Sequence, residues 1–437
     1  MSGIIDYIKD KKVLILGFGR EGKSTYNYIR KHLPEKELTV GDMNKPQIVD
    51  GKVNLIYGDD YLKYLGEFDI VFKSPGIAFL EDDMYPQTTE ITCQTDMFLR
   101  FCKPTVVGIT GSKGKTTTST LIYEILRAGG VNTCLIGNIG VPVFEKADES
   151  EDLVAVIEMS SHQLEFTTAS PHVAVLVNIY QEHLDHYKTG FEGYVNAKLN
   201  IARYQKPGDT VIYNPEQDLT GVVDWDKVIV DGNGKPVTFT DAKNDEFVNE
   251  LWKSTEHLKG EHNRQDIAYA LAAARVFGVS DDAARQAIKG FGGIEHRMEY
   301  VGDFGGVKYY NDSIATIPTA VMGAVKALGN VDTLLFGGLD RGIDYKDFID
   351  FLNTSNINNL VGLPETGHNI IAELKKMGCS KNMFCAEDMA DAVSICNECT
   401  EKDKSCLFSP AAASYNFYKN FEEKGKHFKK LVNELTN

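Results

Sequence analysis

The chain has 437 residues, 43% hydrophobic and 25% charged, an ordinary globular balance whose length predicts about three domains at roughly 150 residues each. Lys and Arg number 46 against 62 Asp and Glu, a net charge of -16 with no basic tract; this excludes a nucleic-acid or anionic-membrane surface, and no apolar run reaches membrane-spanning length. The start, MSGIIDYIKDKK, lacks the apolar core of a signal peptide, and the 8 cysteines are scattered, with Cys396 and Cys399 the one CxxC inside a helix-like segment, so free thiols in a reducing cytoplasm are expected.

Strand-like and helix-like segments alternate throughout, which predicts α/β domains with mainly parallel sheets. Seams near FCKPTVVGIT and GFGGIEHRMEY divide the chain into residues 1–101, 102–294 and 295–437. In the first segment, KKVLILGFGREGKSTYNYIR sets Gly17, Gly19 and Gly22 between an apolar strand and a helix. This is GxGxxG in the context that binds a nucleotide diphosphate at a helix amino terminus. Asp42 closes the next strand, where a ribose-binding acid is expected. NAD and other nucleotides are both compatible with this turn.

The second segment opens with VVGITGSKGKTTTSTLIYEIL, a strand, a glycine-rich loop and a helix. Gly111, Gly114, Lys115 and Thr116 stand where a phosphate loop cradles phosphates, clamps the outer ones and binds magnesium. The match to GxxxxGK[ST] is imperfect, because its first glycine would fall at Ile109 and the chain has Gly108. Two further apolar strands end in candidate metal ligands: Glu158 in one, Asn178, Glu182 and His183 in the other. In a parallel sheet these ends meet beside the phosphate loop. His162 and His186 read as structural. FEGYVNAKLNIARY then forms a helix with an apolar stripe of Phe191, Tyr194, Val195, Ile201 and Ala202, opposite Glu192, Asn196, Asn200 and Arg203. Lys198 belongs to the stripe by spacing. Either it snorkels, or it is buried, and burial makes a neutral amine that can add carbon dioxide to become an anionic carbamate.

TGSKGKTT, EMSSHQLE, NIYQEHLDHY, NAKL, GEHNRQD, EHRME, NDSIAT, GGLDRGID and SPAAASYNFYKNFEEKG follow in an order that resembles the Mur ligases over essentially the whole chain. The domain ahead of the phosphate loop separates the chain from folylpolyglutamate synthases. Asn311, Asp312, Ser313 and Thr316 stand where most other Mur ligases carry a D-x-x-H-x-P-type stretch. The resemblance implies a Rossmann-like amino-terminal domain (1–101) that binds UDP, a central P-loop ATPase-like domain (102–294) and a Rossmann-like carboxy-terminal domain (295–437) that binds an amino acid.

The resemblance also implies residue roles. The UDP-sugar substrate would meet Phe18, Gly19, Arg20, Glu21, Asp42, Ser74 and Gly76, with Asn138, Ser160 and Gln163 at its muramoyl-alanine end. ATP would meet Gly111, Ser112, Lys113, Gly114, Lys115, Thr116 and Thr117, and also Asn263, Arg297 and Asp312. Two magnesium ions would be held through Thr116, Glu158, His183 and a carbamylated Lys198, which with Lys115 make the catalytic set. Glutamate would sit on Thr316, Arg341, Ser414 and the backbone at Phe421. The implied reaction joins D-glutamate to UDP-N-acetylmuramoyl-L-alanine through an acyl phosphate, in the cytoplasm, catalysed by a monomer. An L-glutamate-adding ligase and a P-loop ATPase with a nucleotide-sensing domain are the alternatives. Ile314, Arg341 and Asp266 depart from the family pattern, which usually has Lys, Lys and Asn there.

Overall fold

The computed structural model describes residues 3–81, 85–214, 235–238 (backbone only), 245–255, 257–258, 260–340, 342–414 and 417–435. It divides into two compact units, Met1–Phe291 and Gly292–Asn437. The first unit carries two sheets. One is built from β1 (Val13–Leu16), β2 (Leu38–Asp42), β3 (Val53–Tyr57), β4 (Ile70–Lys73) and β5 (Glu90–Thr92) in the order β3-β2-β1-β4-β5. The other is built from β6 (Thr105–Thr110), β7 (Thr133–Gly137), β8 (Val154–Glu158), β9 (Val173–Leu176), β10 (Thr210–Tyr213) and β11 (Lys235–Thr238) in the order β11-β10-β9-β6-β8-β7. All pairings in both sheets are parallel, as expected. Strands such as VLIL and VAVIE are buried along their whole length, because helices cover a parallel sheet on both faces.

One apolar core runs through both sheets of this unit. Ile4, Val13, Ile15 and Phe72 from the first join Phe144, Ile157, Leu164 and Tyr213 from the second. Polar ties cross the same boundary: the Asp96 Oδ1 accepts from the Thr168 amide at 2.7 Å and from its hydroxyl at 3.0 Å.

The second unit holds β12 (Glu299–Phe304), β13 (Val307–Asn311), β14 (Val331–Gly338), β15 (Asn359–Glu365), β16 (Asn382–Cys385) and β17 (Ser405–Phe408), ordered β12-β13-β17-β14-β15-β16. This sheet is mixed. β12 and β13 pair antiparallel about Gly305 and Gly306, whose φ angles of 63° and 86° suit a two-residue hairpin turn. The remaining strands are parallel. All 8 cysteines are free, and the CxxC lies within the helix Met389–Cys399. Among the described residues no helix is long and apolar enough to cross a membrane.

Candidate functional site

β6 delivers the chain into the loop Gly111–Gly114, and the helix Lys115–Ala128 begins at once. Gly114 takes φ 80°, and a Cβ there would lie 2.6 Å from the Asp266 Oδ1, so glycine is required. The loop is held from below by Asn178. Its Oδ1 accepts from the amides of Ser112 (3.0 Å) and Lys113 (2.8 Å), and its Nδ2 donates to the Lys113 carbonyl at 2.9 Å. Asn178 is thus a brace and not the metal ligand that its strand-end position suggested. Those two amides are committed to it. The Ser112 hydroxyl is also internal, paired with Tyr194 at 2.6 Å and with the backbone of Tyr180. Lys115 folds back over the loop and donates to the carbonyls of Gly111 (2.8 Å) and Ser112 (3.0 Å). Lys113 pairs with Glu182, the other strand-end acid suggested as a ligand.

Lys198 does not snorkel. It is 1% exposed, and its Nζ donates to the Gly111 carbonyl at 2.7 Å, beneath the phosphate loop. Its ring neighbour is Tyr194, 4.8 Å away. Burial, and then the nearby Lys115, hold this amine well below the ordinary lysine range. The helix Phe191–Arg203 otherwise follows the predicted stripe, but Asn200 is buried and donates to the Leu164 carbonyl at 2.9 Å, against the expectation of an open polar face.

Glu158 ends β8, 1% exposed. One oxygen accepts from the Asn138 amide at 2.7 Å; the other is buried with no partner among the described residues. His183 adopts φ 53°, uncommon for a non-glycine residue, and burial lowers its basicity. It lies 4.9 Å from the His162 ring, which stacks on His186 at 3.8 Å. Burial, with His186 and His183 adding to it, pushes His162 down to about 3, so it is neutral packing as expected. Among the described residues no group of three or more His, Cys, Asp or Glu could hold a metal ion. The expected set offers only two such side chains, Glu158 and His183.

Behind Gly114 lies Asp266, on the same helix as Asn263 (His262–Val276). Its Oδ1 accepts from the Thr118 hydroxyl at 3.1 Å, while Oδ2 is buried without a partner among the described residues. Burial raises this carboxyl to about 7.

At the first sheet, Gly17 has φ 87° and a Cβ would lie 2.7 Å from the Ser74 Cβ. The Ser74 hydroxyl donates to the Gly17 carbonyl at 3.0 Å. The Phe18 amide donates to the Asp42 Oδ2 at 2.7 Å, so this acid also fixes the turn. Gly19 and Gly76 are exposed. Arg20 donates to the carbonyls of Gly137 and Asn138, both at 3.1 Å, and Glu21 accepts from Gln163 Nε2 at 2.6 Å. Ser160 and Gln163 form a capping box at the start of Ser161–Leu164. Residues expected at the two ends of one substrate are therefore bonded to each other.

In the second unit, Asp312 accepts from the Ser409 hydroxyl at 2.6 Å and the Met298 amide at 3.1 Å, and burial raises it to about 6. Arg297 lies in the bend that precedes β12, its amide donating to the Ile294 carbonyl at 3.0 Å. Thr316 is half-buried, and Ser414 is buried with its hydroxyl unpartnered among the described residues. Phe421 opens the helix Phe421–Asn433, capped by Asn420. Arg341 lies outside the described residues. Sequence reasoning missed Lys424, a buried lysine on the apolar stripe of Phe421, Phe428 and Val432. The spacing rule that singled out Lys198 finds it too.

The model of the Mur ligase middle domain matches residues 109–274. The chain is 31% identical to the UDP-N-acetylmuramoylalanine--D-glutamate ligase of Clostridium botulinum, covering 98% of each. It is 34% identical to the enzyme of the same name from Symbiobacterium thermophilum, covering 88% of each. Among solved structures it resembles MurF from Acinetobacter baumannii, with a TM-score of 0.57, 17% identity and coverage of 94% and 88%.

Proposed function

The chain belongs to the Mur ligase family, among the UDP-N-acetylmuramoylalanine--D-glutamate ligases, and we propose from that membership how its own residues divide the work. It is a ligase that joins D-glutamate to UDP-N-acetylmuramoyl-L-alanine at the expense of ATP. It acts as a monomer in the cytoplasm. We assign it three functional domains: residues 1–101 to seat UDP, 102–294 to carry the phosphoryl chemistry, and 295–437 to present the amino acid.

The alanine carboxylate attacks the γ-phosphorus of ATP; a P–O bond forms and the bond to the ADP oxygen breaks. The glutamate amine then attacks the acyl carbon, the C–N bond forms, phosphate leaves, and the amine gives up a proton. Several anionic oxygens meet in the first step, so the protein's task is positioning and charge neutralisation. Lys115, already held over the loop, swings its ammonium from the carbonyls of Gly111 and Ser112 to the outer phosphates. The amides of Gly114 to Thr117 face the same anion at the helix start. The family resemblance assigns Asn263, Arg297 and Asp312 to the nucleotide as well. Phe18, Gly19, Arg20, Glu21 and Asp42 hold the uridine end, Ser74 and Gly76 the sugar-diphosphate, and Asn138, Ser160 and Gln163 the muramoyl-alanine end. Thr316, Arg341, Ser414 and the backbone at Phe421 hold glutamate.

The observation that carries the reading is Lys198: a buried amine, held by burial well below the ordinary lysine range, under a phosphate loop whose neighbourhood includes an acid with one unpartnered oxygen. Two magnesium ions, which prefer oxygen ligands, fit Thr116, Glu158, His183 and this lysine only if the lysine carries a carboxylate. Carbon dioxide supplies it: the neutral Nζ forms a C–N bond to the carbon and releases one proton, giving a carbamate. When bound, magnesium would neutralise charge on the transferring phosphoryl group. Phosphate release measured with ATP, UDP-N-acetylmuramoyl-L-alanine and D-glutamate, each omitted in turn, tests the reaction. All three are expected to be required, and turnover with only L-glutamate would change the amino acid assigned. Lys198→Ala is expected to fold and to lose nearly all turnover, with partial recovery in acetate; a fully active variant would remove the carbamate.

A further inference from the structure

Lys424 is 2% exposed, in the first turn of Phe421–Asn433. Its Nζ donates to the Gly337 carbonyl at 2.8 Å, its one recorded hydrogen bond among the described residues, and lies 5.7 Å from the Phe408 ring. An ammonium has three donors and no acceptor, and a buried one without a carboxylate is costly. Nothing described pairs with it. The Glu387 side chain is exposed, the Asp388 Oδ1 accepts from the amides of Ala390 and Asp391, and His427 is paired with the Tyr418 hydroxyl at 2.8 Å. Burial alone brings this lysine down to about 7, with no opposing charge to raise it.

The side chain borders a cavity of about 250 Å³ walled by Gly338, Leu363, Met389, Phe417 and Tyr418, with Glu387, Asp388 and His427 on its polar side. That cavity opens at the carboxyl end of β14, the edge where open α/β sheets bind their ligands. Gly338 has no side chain to block it: a Cβ there would fall 2.3 Å from the Ala413 carbonyl and 3.1 Å from the Lys424 Nζ. Ala413 is followed by Ser414, whose buried hydroxyl also has no partner among the described residues. The Lys424 Nζ and the Ser414 hydroxyl are each short of an acceptor, which a carboxylate would supply to Lys424 from the cavity.

We propose that Lys424 is a second cationic seat for the incoming amino acid, holding one of its carboxylates; this rests on the ligase reading above. Leu363, Pro364, Met389 and Phe417 give the cavity an apolar wall that suits the methylene chain of glutamate, the dicarboxylic amino acid of the ligase reading. Lys424 also ties its helix to β14, so the test must separate charge from tether.

Lys424→Gln keeps a donor for the Gly337 carbonyl and removes the charge, Lys424→Met removes both, and Lys424→Arg keeps the charge. The unaltered enzyme is first shown to release phosphate in a glutamate-dependent manner; if it does not, both the ligase reading and this assignment fall. With that dependence in hand, the Gln and Met variants are expected to raise KM for glutamate about 10- to 100-fold, the scale of losing one charged hydrogen bond. KM for ATP and for the UDP-sugar should hold within about twofold, and Arg should restore most of the affinity. A Gln variant with unaltered KM for glutamate, or one in which all three KM values rise together, would overturn the assignment and leave the ligase reading intact. Should Met fail to fold, Gln and Arg decide alone.

Discussion

Asp266 shows what one atom's change from an amide does at a buried site. The carboxyl is 2% exposed, and burial raises it from 3.8 to about 7. Between those values the folded chain holds a proton that the unfolded chain has lost, so stability falls as pH rises through that window and levels off above about 7. Asp266→Asn removes the titration while keeping the shape and an acceptor for Thr118. The variant is expected to be the more stable form at pH 7.5, by on the order of 2–4 kcal/mol, and to lose that advantage towards pH 4. Urea denaturation across this range checks it; equal pH profiles would mean that Asp266 is already ionised in the folded state. Lys198, Lys424 and Asp266 share one lesson in legibility. Spacing tells which side chains face inward, and so exposes a buried lysine. It does not tell what each one meets inside, which is why Asn178 read as a ligand and proved a brace, and why Asn200 read as open and proved buried.

The glycine-rich turn illustrates the element scale. A Cβ on Gly22 would lie 1.9 Å from the Gly17 carbonyl oxygen, whereas one on Gly19 meets nothing within 4 Å. Both are glycines of the same motif, but only one is fixed by packing of the helix Arg20–His32 against its own turn. Gly22→Ala is therefore expected to cost more than about 2 kcal/mol and Gly19→Ala less than about 1 in thermal unfolding. A tolerated Gly22→Ala would show that the turn can open without loss. Strands, helices and the phosphate loop were legible because each repeats a local rule: an apolar run, a 3.6-residue stripe, glycine ahead of GKT. The mixed third sheet was not, since its antiparallel hairpin rests on Gly305 and Gly306, and a paired-glycine turn changes strand direction without altering composition.

At the scale of the molecule, Asp42 and the GxGxxG turn suit more than one nucleotide, but Arg20 and Glu21 are bonded to the elements that carry Asn138 and Gln163. On the ligase reading, the ligand is the one that reaches both sheets. UDP-N-acetylmuramoyl-L-alanine is expected to raise the melting temperature of the first unit and NADH to leave it unmoved, as binding to the folded form alone requires. A shift with NADH and none with the UDP-sugar would reverse the assignment. The largest apolar cluster of the same unit is fed from both sheets, and that sets an order of events at the ribosome. When Phe101 has been made, every strand of the first sheet exists, yet the residues that close its core reach as far as Tyr213. At roughly 5–20 residues per second the nascent sheet waits on the order of ten seconds for its other half. Through that interval its apolar face is open to chaperones, and a translational pause in the stretch that follows Phe101 would lengthen the exposure.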